Sequence, residues 1–337
     1  MNDQALSDGL VLRTLHADED VARVAAFHSS VFGPGLATLV QGLLQHHPQR
    51  AQSHWLYVED TTTNKVVGGL CLLPWKLDFA GVELHAGEMG IVATDENYRK
   101  RGLIRALNER FDTLLHADNY DLSIIQGIPY FYRQFDYHYT MPLEAWCRVE
   151  LHQFSGDTPE GYEFRRANET DIPQLAELYA AAASDLTISA RRDEAIWRYL
   201  LGPAMQTETA GAFWLISTPN RNPAGYVRVM ESGFGDGLIC GEASQLGADT
   251  AVASLHWLTN LARERHKPYL RLNVPKRHVI NQVAQVRGAG EWSAYAWQVR
   301  ILDPVALLHK LGPLFEQRIA ASPSPHSPAT LIINLLP

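Results

Sequence analysis

Arg99, Lys100, Arg101 and Arg105 crowd around Gly102, between an apolar stretch at residues 89–94 and a segment with helical spacing. A helix start already carries partial positive charge on its unpaired N–H groups. Further cations there are unfavourable unless an anion is expected. A strand, a short basic loop holding one glycine, and then a helix make an anion cradle. Amides at the helix start point at the ligand, glycine lets the backbone come close, and the cations add charge-assisted hydrogen bonds. A pyrophosphate suits such a site. On spacing alone a solvated basic turn is an equal reading, because short charge runs are usually surface. Neither GxxxxGK[ST] nor GxGxxG is present at this loop.

The elements that must carry this loop follow from hydrophobic period. In the first half, residues 10–15 read as a strand and 18–32 as a helix. Residues 55–59 and 66–74 read as a hairpin, 79–84 and 85–94 as further strand, and 101–117 as the helix after the cradle. Residues 122–126 are a short buried strand, and a helix is expected to start at 129–134. The polar stretch 153–161 reads as a linker. The order then repeats: strand 162–166, helices 172–183 and 194–201, and strands 213–217, 225–231 and 238–246. A helix at 250–266 capped by Asp249 or Thr250, a strand at 270–274, a helix at 278–287 and a closing strand at 292–302 complete the second half. The expectation is an α/β (α+β) chain of two tandem units that look like copies of one another. The expected divisions are 1–152, a linker at 153–161, 162–303, and a tail at 304–337. The tail is amphipathic over 305–320, with Leu307, Leu308, Leu311 and Leu314 on its apolar face, and strand-like at 330–336.

The length, 337 residues, suits two cores. A net charge of −8 argues against nucleic acid or an anionic membrane as partner. Cys71, Cys147 and Cys240 are far apart, so buried free thiols in a reducing cytoplasm are expected rather than disulfides or a zinc site. The N-terminus lacks a signal-peptide pattern and no stretch is long and apolar enough to span a bilayer, so a cytoplasmic location is expected. The histidines show no metal-ligand spacing, His85 and His116 read as surface side chains, and no metal is expected.

The segment GIVATDENYRKRGLIRAL closely resembles the coenzyme A-binding segment of the GCN5-related N-acetyltransferases, whose pattern is Arg/Gln-x-x-Gly-x-Gly/Ala. Arg99 and Gly102 take its first and fourth positions, and Ile104 departs from its sixth, narrowing the room beside a pyrophosphate. QGIPYFYRQFDYHY resembles the family's later Tyr…Phe-Gly-Tyr segment, with Asp136 in place of the glycine, which puts the shape of that turn in doubt. The tandem layout and tail are similar to the enhanced-intracellular-survival type, which carries a sterol-carrier-like third domain. On that likeness the domain is truncated or absent here, and the terminal carboxylate that type uses as base is not assigned. The resemblance implies acetyl-CoA as cosubstrate. On the same likeness each of the two tandem domains is a mixed, mostly antiparallel twisted sheet flanked by helices. Backbone groups of Ile91, Val92 and Ala93 would hold the pantetheine, and the amides of Arg99, Lys100, Arg101, Gly102, Leu103 and Ile104 the pyrophosphate, with Arg99 and Arg101 adding charge. Tyr132 would protonate the departing thiolate; from its aromatic neighbours alone it reads as a core residue. Glu88, just before the pantetheine strand, is a candidate base, with a structural or solvated carboxylate as the alternative.

The expected activity is direct transfer of an acetyl group to a primary amine of a small molecule or a lysine. The alternative is a non-catalytic acyl-CoA sensor or a scaffold. A homo-oligomer is compatible with either. The second half carries Asp249 and no arginine where a phosphate would need donors, so no cofactor site is expected there.

Overall fold

The computed structural model describes residues 3–323 except 17, 144–145, 219, 221 and 293–294. The expected strand at 330–336 lies outside the described residues.

The first half runs β1 (Gln4–Ala5), β2 (Leu10–Thr14), α1 (Asp18–Phe32), α2 (Gly35–His46), β3 (His54–Asp60), β4 (Lys65–Phe79), β5 (Val82–Thr94), α3 (Leu103–Ala117), β6 (Leu122–Ile125), β7 (His138–Leu143) and β8 (Trp146–Glu150). The second runs β9 (Glu163–Arg166), α4 (Ile172–Ala183), β10 (Ile188–Ala190), α5 (Glu194–Leu201), β11 (Gly211–Ser217), β12 (Pro223–Met230), β13 (Leu238–Ala243), α6 (Ala248–Glu264), β14 (Tyr269–Leu272), α7 (Val279–Val286), β15 (Gly290–Trp292) and β16 (Tyr295–Ile301), then α8 (Pro304–Lys310) and α9 (Gly312–Ala320).

These strands make two sheets, ordered β1-β2-β3-β4-β5-β6-β16-β7 and β15-β8-β14-β13-β12-β11-β9, with β10 added to β4. Only β5–β6 and β13–β14 pair in parallel; the other described pairs are antiparallel. The architecture is thus two mixed, mostly antiparallel sheets flanked by helices, as the resemblance implies. The halves nevertheless exchange strands. β16, from the second half, lies between β6 and β7 of the first sheet, and β8, from the first half, pairs with β14 and β15 of the second. The division 1–152/162–303 therefore cuts across pairings in both sheets, and the expected closing strand at 292–302 is two strands in different sheets. Alternation shows that a segment has one buried face, not which sheet buries it.

Both faces of the first sheet are covered. Leu103, Leu107, Phe111, Leu114 and Leu115 recur at helical spacing and seal α3 onto Leu56, Val58, Leu70, Leu72 and Met89. On the opposite face α1 and α2 pack over Trp55, Tyr57 and Cys71. Further along that face, Leu311 and Leu314 pack near Leu84, Ala86, Leu122 and Ile124, so the amphipathic tail is docked on the first sheet.

Several local expectations change. The expected strand at 79–84 contains the turn that joins β4 to β5, and β1, β7, β8 and β10 have no counterpart among the expected strands. The helix at 129–134 is a short 3-10 turn, Phe131–Phe135, because Tyr130 and Asp136 on either side take left-handed backbone (φ 65° and 66°). α2 has no counterpart among the predicted elements. α6 begins at Ala248 with Gly247 as its N-cap, ahead of Asp249. The helix at 305–320 breaks at Leu311, where Pro313 restarts it as α9.

Candidate active site

β5 holds the site together. Its parallel pairing with β6 covers three positions, Ala86–Leu122, Gly87–Ser123 and Glu88–Ile124, and then stops. Beyond Glu88 the ladder ends, and the edge of β5 on that side has no further strand partner, a slot of unpaired edge that leads toward Thr94. The other edge of β5 stays zipped to β4 as far as Thr94, with a break in register between Gly69–Ala93 and Cys71–Gly90. Two residues, Ile91 and Val92, thus face one. Ile91 sits at the bulge with φ 52°, a conformation that β-branched residues avoid. Such strain is of order 1–3 kcal/mol. It is held because the Ile91 side chain packs beside Cys71 and Leu73 under α1 and α2. The bulge re-aims the backbone of Ile91, Val92 and Ala93 along the slot.

The slot leads to the basic loop. Lys100 (φ 64°) and Gly102 (φ 77°) both adopt left-handed backbone, which turns the chain sharply into α3. A Cβ on Gly102 would meet nothing within 4 Å, so the space in front of the helix start is open. Among the described residues the first backbone bond at this end is from the Ala106 amide to the Gly102 carbonyl (3.1 Å), and the amides of residues 100–105 have no partner. Six donors face open space at a positive helix end, which fits a diphosphate.

The loop is fastened from behind. The Tyr98 hydroxyl donates to Asp60 Oδ2 (2.6 Å), and Asp60 also accepts from the Thr62 amide and hydroxyl. The Thr62 hydroxyl and then Tyr98 hold the Asp60 carboxyl well below the usual carboxylate range. The Arg101 guanidinium lies over the Tyr98 ring, 4.8 Å from its centroid. Arg99 is exposed and reaches Glu96 (3.3 Å), while Lys100 and Arg105 have no ion-pair partner among the described residues. Ile104 packs into the core with α3 rather than filling the space in front of Gly102.

Tyr132 and Glu88 flank the slot from opposite faces of the sheet. Tyr132 lies in the α3-side core with Met89, Ile125 and Tyr137. It is wedged on Gly127, where any Cβ would overlap its ring. Burial, then the neighbouring hydroxyls of Tyr137 and Tyr295, raise its pKa, so the phenol stays protonated. The side chain is buried, yet the hydroxyl has no partner among the described residues and is not among the sealed polar atoms. It is an unpartnered donor that is not fully sealed. Asp136 supplies the left-handed turn that a glycine would give, a conformation Asp tolerates, so the substitution leaves that turn formed.

Glu88 shares its face with Leu84 and Ala86. It is crowded by protein but not sealed. Its Oε2 accepts a hydrogen bond from the Trp75 indole (2.7 Å), and Oε1 has no partner among the described residues. Burial pushes the carboxyl up to about 7, opposed by the indole bond. A carboxyl poised there can take a proton near neutral pH.

A model of the acetyltransferase (GNAT) domain matches residues 12–140. The first half of the chain thus matches a GNAT acetyltransferase domain. No curated protein matches it. Solved structures resemble it at low identity. A probable N-acyltransferase from Enterococcus faecalis has a TM-score of 0.69 at 15% identity, over 89% of this chain and 75% of the other. Eis1 from Mycobacterium abscessus has 0.58 at 16%, over 89% and 75%. A tandem GNAT protein from the clavulanic acid biosynthesis pathway has 0.59 at 15%, over 88% and 99%. These likenesses support the tandem GNAT fold.

The chemistry of that domain family is acyl transfer from acetyl-CoA, and the two halves of the chain differ at the corresponding loop. In the second half the β13–β14 ladder also ends, at Cys240–Leu272, but His278 Nε2 meets the Ser244 carbonyl (2.8 Å) from the start of α7. The loop before α6 carries Asp249 in the first helical turn and no basic residue. Glu242 there is tied to Arg192 by two bonds (2.8 and 2.6 Å) and to the Tyr226 hydroxyl (2.6 Å).

Sequence patterning gives no sign of the Ile91 bulge, the Tyr98–Asp60 anchor or the Trp75–Glu88 bond, beyond the position of Tyr98 immediately before Arg99. His85 and His116 are surface side chains, beside Glu83 (3.0 Å) and Asp112 (3.8 Å). The cysteines are free and buried, no group of ligands suited to a metal occurs among the described residues, and none of their helices is long and apolar enough to cross a membrane.

Proposed function

We propose that the first GNAT unit transfers the acetyl group of acetyl-CoA directly to a primary amine, on a small molecule or a lysine. One observation carries this: the β5–β6 ladder ends immediately after Glu88, and the slot runs on to the unpartnered amides of residues 100–105. Ile91, Val92 and Ala93 would hold the pantetheine arm by their backbone. The amides from Lys100 to Ile104 would take the diphosphate, the Arg99 amide being bonded to the Glu96 carbonyl (3.4 Å), with Arg99, Lys100 and Arg101 adding charge. Glu88 takes a proton from the attacking amine, because a protonated amine has no lone pair. The amine bonds to the thioester carbonyl carbon, the adduct nitrogen loses its second proton to solvent as the carbon–sulfur bond breaks, and Tyr132 donates its proton to the leaving thiolate and is reprotonated from solvent. The carboxylate also favours a cationic acceptor.

The test is release of free thiol from acetyl-CoA with a panel of polyamines, aminoglycosides and a lysine peptide. Amine-dependent release that falls sharply in Glu88→Gln supports the reading. Binding of acetyl-CoA, seen as a raised melting temperature, without release from any amine would leave a sensor.

A further inference from the structure

The β4–β5 hairpin pairs Leu73 with Glu88 and Trp75 with Ala86. Residues 73, 75, 86 and 88 therefore share a face, and Trp75 is the diagonal neighbour of Glu88, close enough for a long side chain to reach. Its indole N–H meets Glu88 Oε2 at 2.7 Å, while the ring remains 37% exposed. A large aromatic side chain spends its one polar atom on a carboxylate and leaves its ring toward solvent.

We propose that Trp75 is a positioning residue for Glu88: its N–H fixes Oε2 and leaves Oε1 alone free to receive the proton of the acceptor amine. The inference rests on Glu88 acting as the base. An untethered glutamate would sample several rotamers, and its two oxygens would share the approach; the indole selects one. The bond also favours the charged carboxylate, against the burial that disfavours it.

Other titratable or charged groups on the surrounding elements do not explain the state of Glu88. Cys71 on β4 is a buried neutral thiol whose pKa Glu88 itself helps to raise, after burial. His28 on α1 is buried near Gly69 and is held neutral. Arg191, after β10, binds Asp78 and Glu83, and Lys310 of α8 binds Asp121. Ile124, the partner on β6, is apolar, and α3 covers the opposite face.

The experiment is a carbon-detected NMR titration of glutamate carboxyls in the full chain, with the Glu88 signal assigned by its loss in Glu88→Gln. Trp75→Phe keeps the ring and removes only the donor. The expected result is an upward move of the Glu88 midpoint by about one pH unit, a tenfold change in proton affinity. Trp75→His, which retains a ring N–H, should restore part of that shift. It also serves as the readout if Trp75→Phe does not fold. An unmoved midpoint in Trp75→Phe, or a midpoint in Trp75→His displaced as far as in Trp75→Phe, overturns the proposal. Thiol release separates the two readings. A Glu88→Gln protein with full amine-dependent release removes the base, whereas normal dependence on Glu88 with an unmoved midpoint removes only the role of Trp75.

Discussion

Gln298, on a strand supplied by the second half, donates through Nε2 to the carbonyl of Gly127 at 2.9 Å. The Tyr295 hydroxyl donates to the same carbonyl at 2.5 Å. Gly127 in turn is the surface on which Tyr132 rests. The second half thus holds the floor of the first half's slot, although it has no cradle of its own. Removing both donors, in Tyr295→Phe combined with Gln298→Leu, leaves a buried carbonyl without a partner. The expected loss is about 1–3 kcal/mol in urea unfolding, with a fall in turnover larger than the change in apparent acetyl-CoA affinity. Normal turnover in a folded double variant would show that this link does not position Tyr132.

The same exchange bears on dissection of the chain. A fragment ending at residue 152 lacks β16, so β6 and β7 lose the strand between them, and β8 loses its sheet. Such a fragment should expose strand edges and aggregate or remain inactive. Soluble, active protein from residues 1–152 would contradict that expectation.

Tyr132→Phe removes only the hydroxyl. Because that hydroxyl has no protein partner among the described residues, stability should change little, while turnover falls about a hundredfold. Unchanged turnover in a thiol-release assay would end the acid role.

At the cradle, Gly102→Ala meets open space but keeps φ at 77°, so the strain is conformational, about 1 kcal/mol. Arg101→Ala removes a cation and the stack on Tyr98. Either change should raise the KM for acetyl-CoA, by about tenfold for Arg101, with kcat nearly kept. A proportional fall in kcat with KM unaltered would argue against diphosphate binding there.

His28 is fully buried, with neither ring nitrogen hydrogen-bonded among the described residues, and burial lowers its pKa to about 4. Between that value and its ordinary 6.5 the unfolded chain binds more protons than the native one. Stability is therefore complete above 6.5 and drains as pH falls toward 4, by up to about 3 kcal/mol. His28→Leu should lose this part of the acid sensitivity. Parallel urea midpoints for the two proteins across pH 4–7 would rule it out.

The basic loop could be read from the chain because its parts are neighbours: strand, cations, glycine and helix start occupy residues 89–105, and local geometry alone brings them together. The alternation of two- and three-to-four-residue periods likewise showed two repeated α/β units. The pairing of Trp75 with Glu88, the neutral state of His28, and the crossing of β16 into the first sheet depend on which strand lies beside which. A period-two stretch carries one apolar face wherever it is placed. Its neighbours are selected by the core volume left to fill and by the reach of the connecting loops, and those quantities exist only once the whole chain has folded.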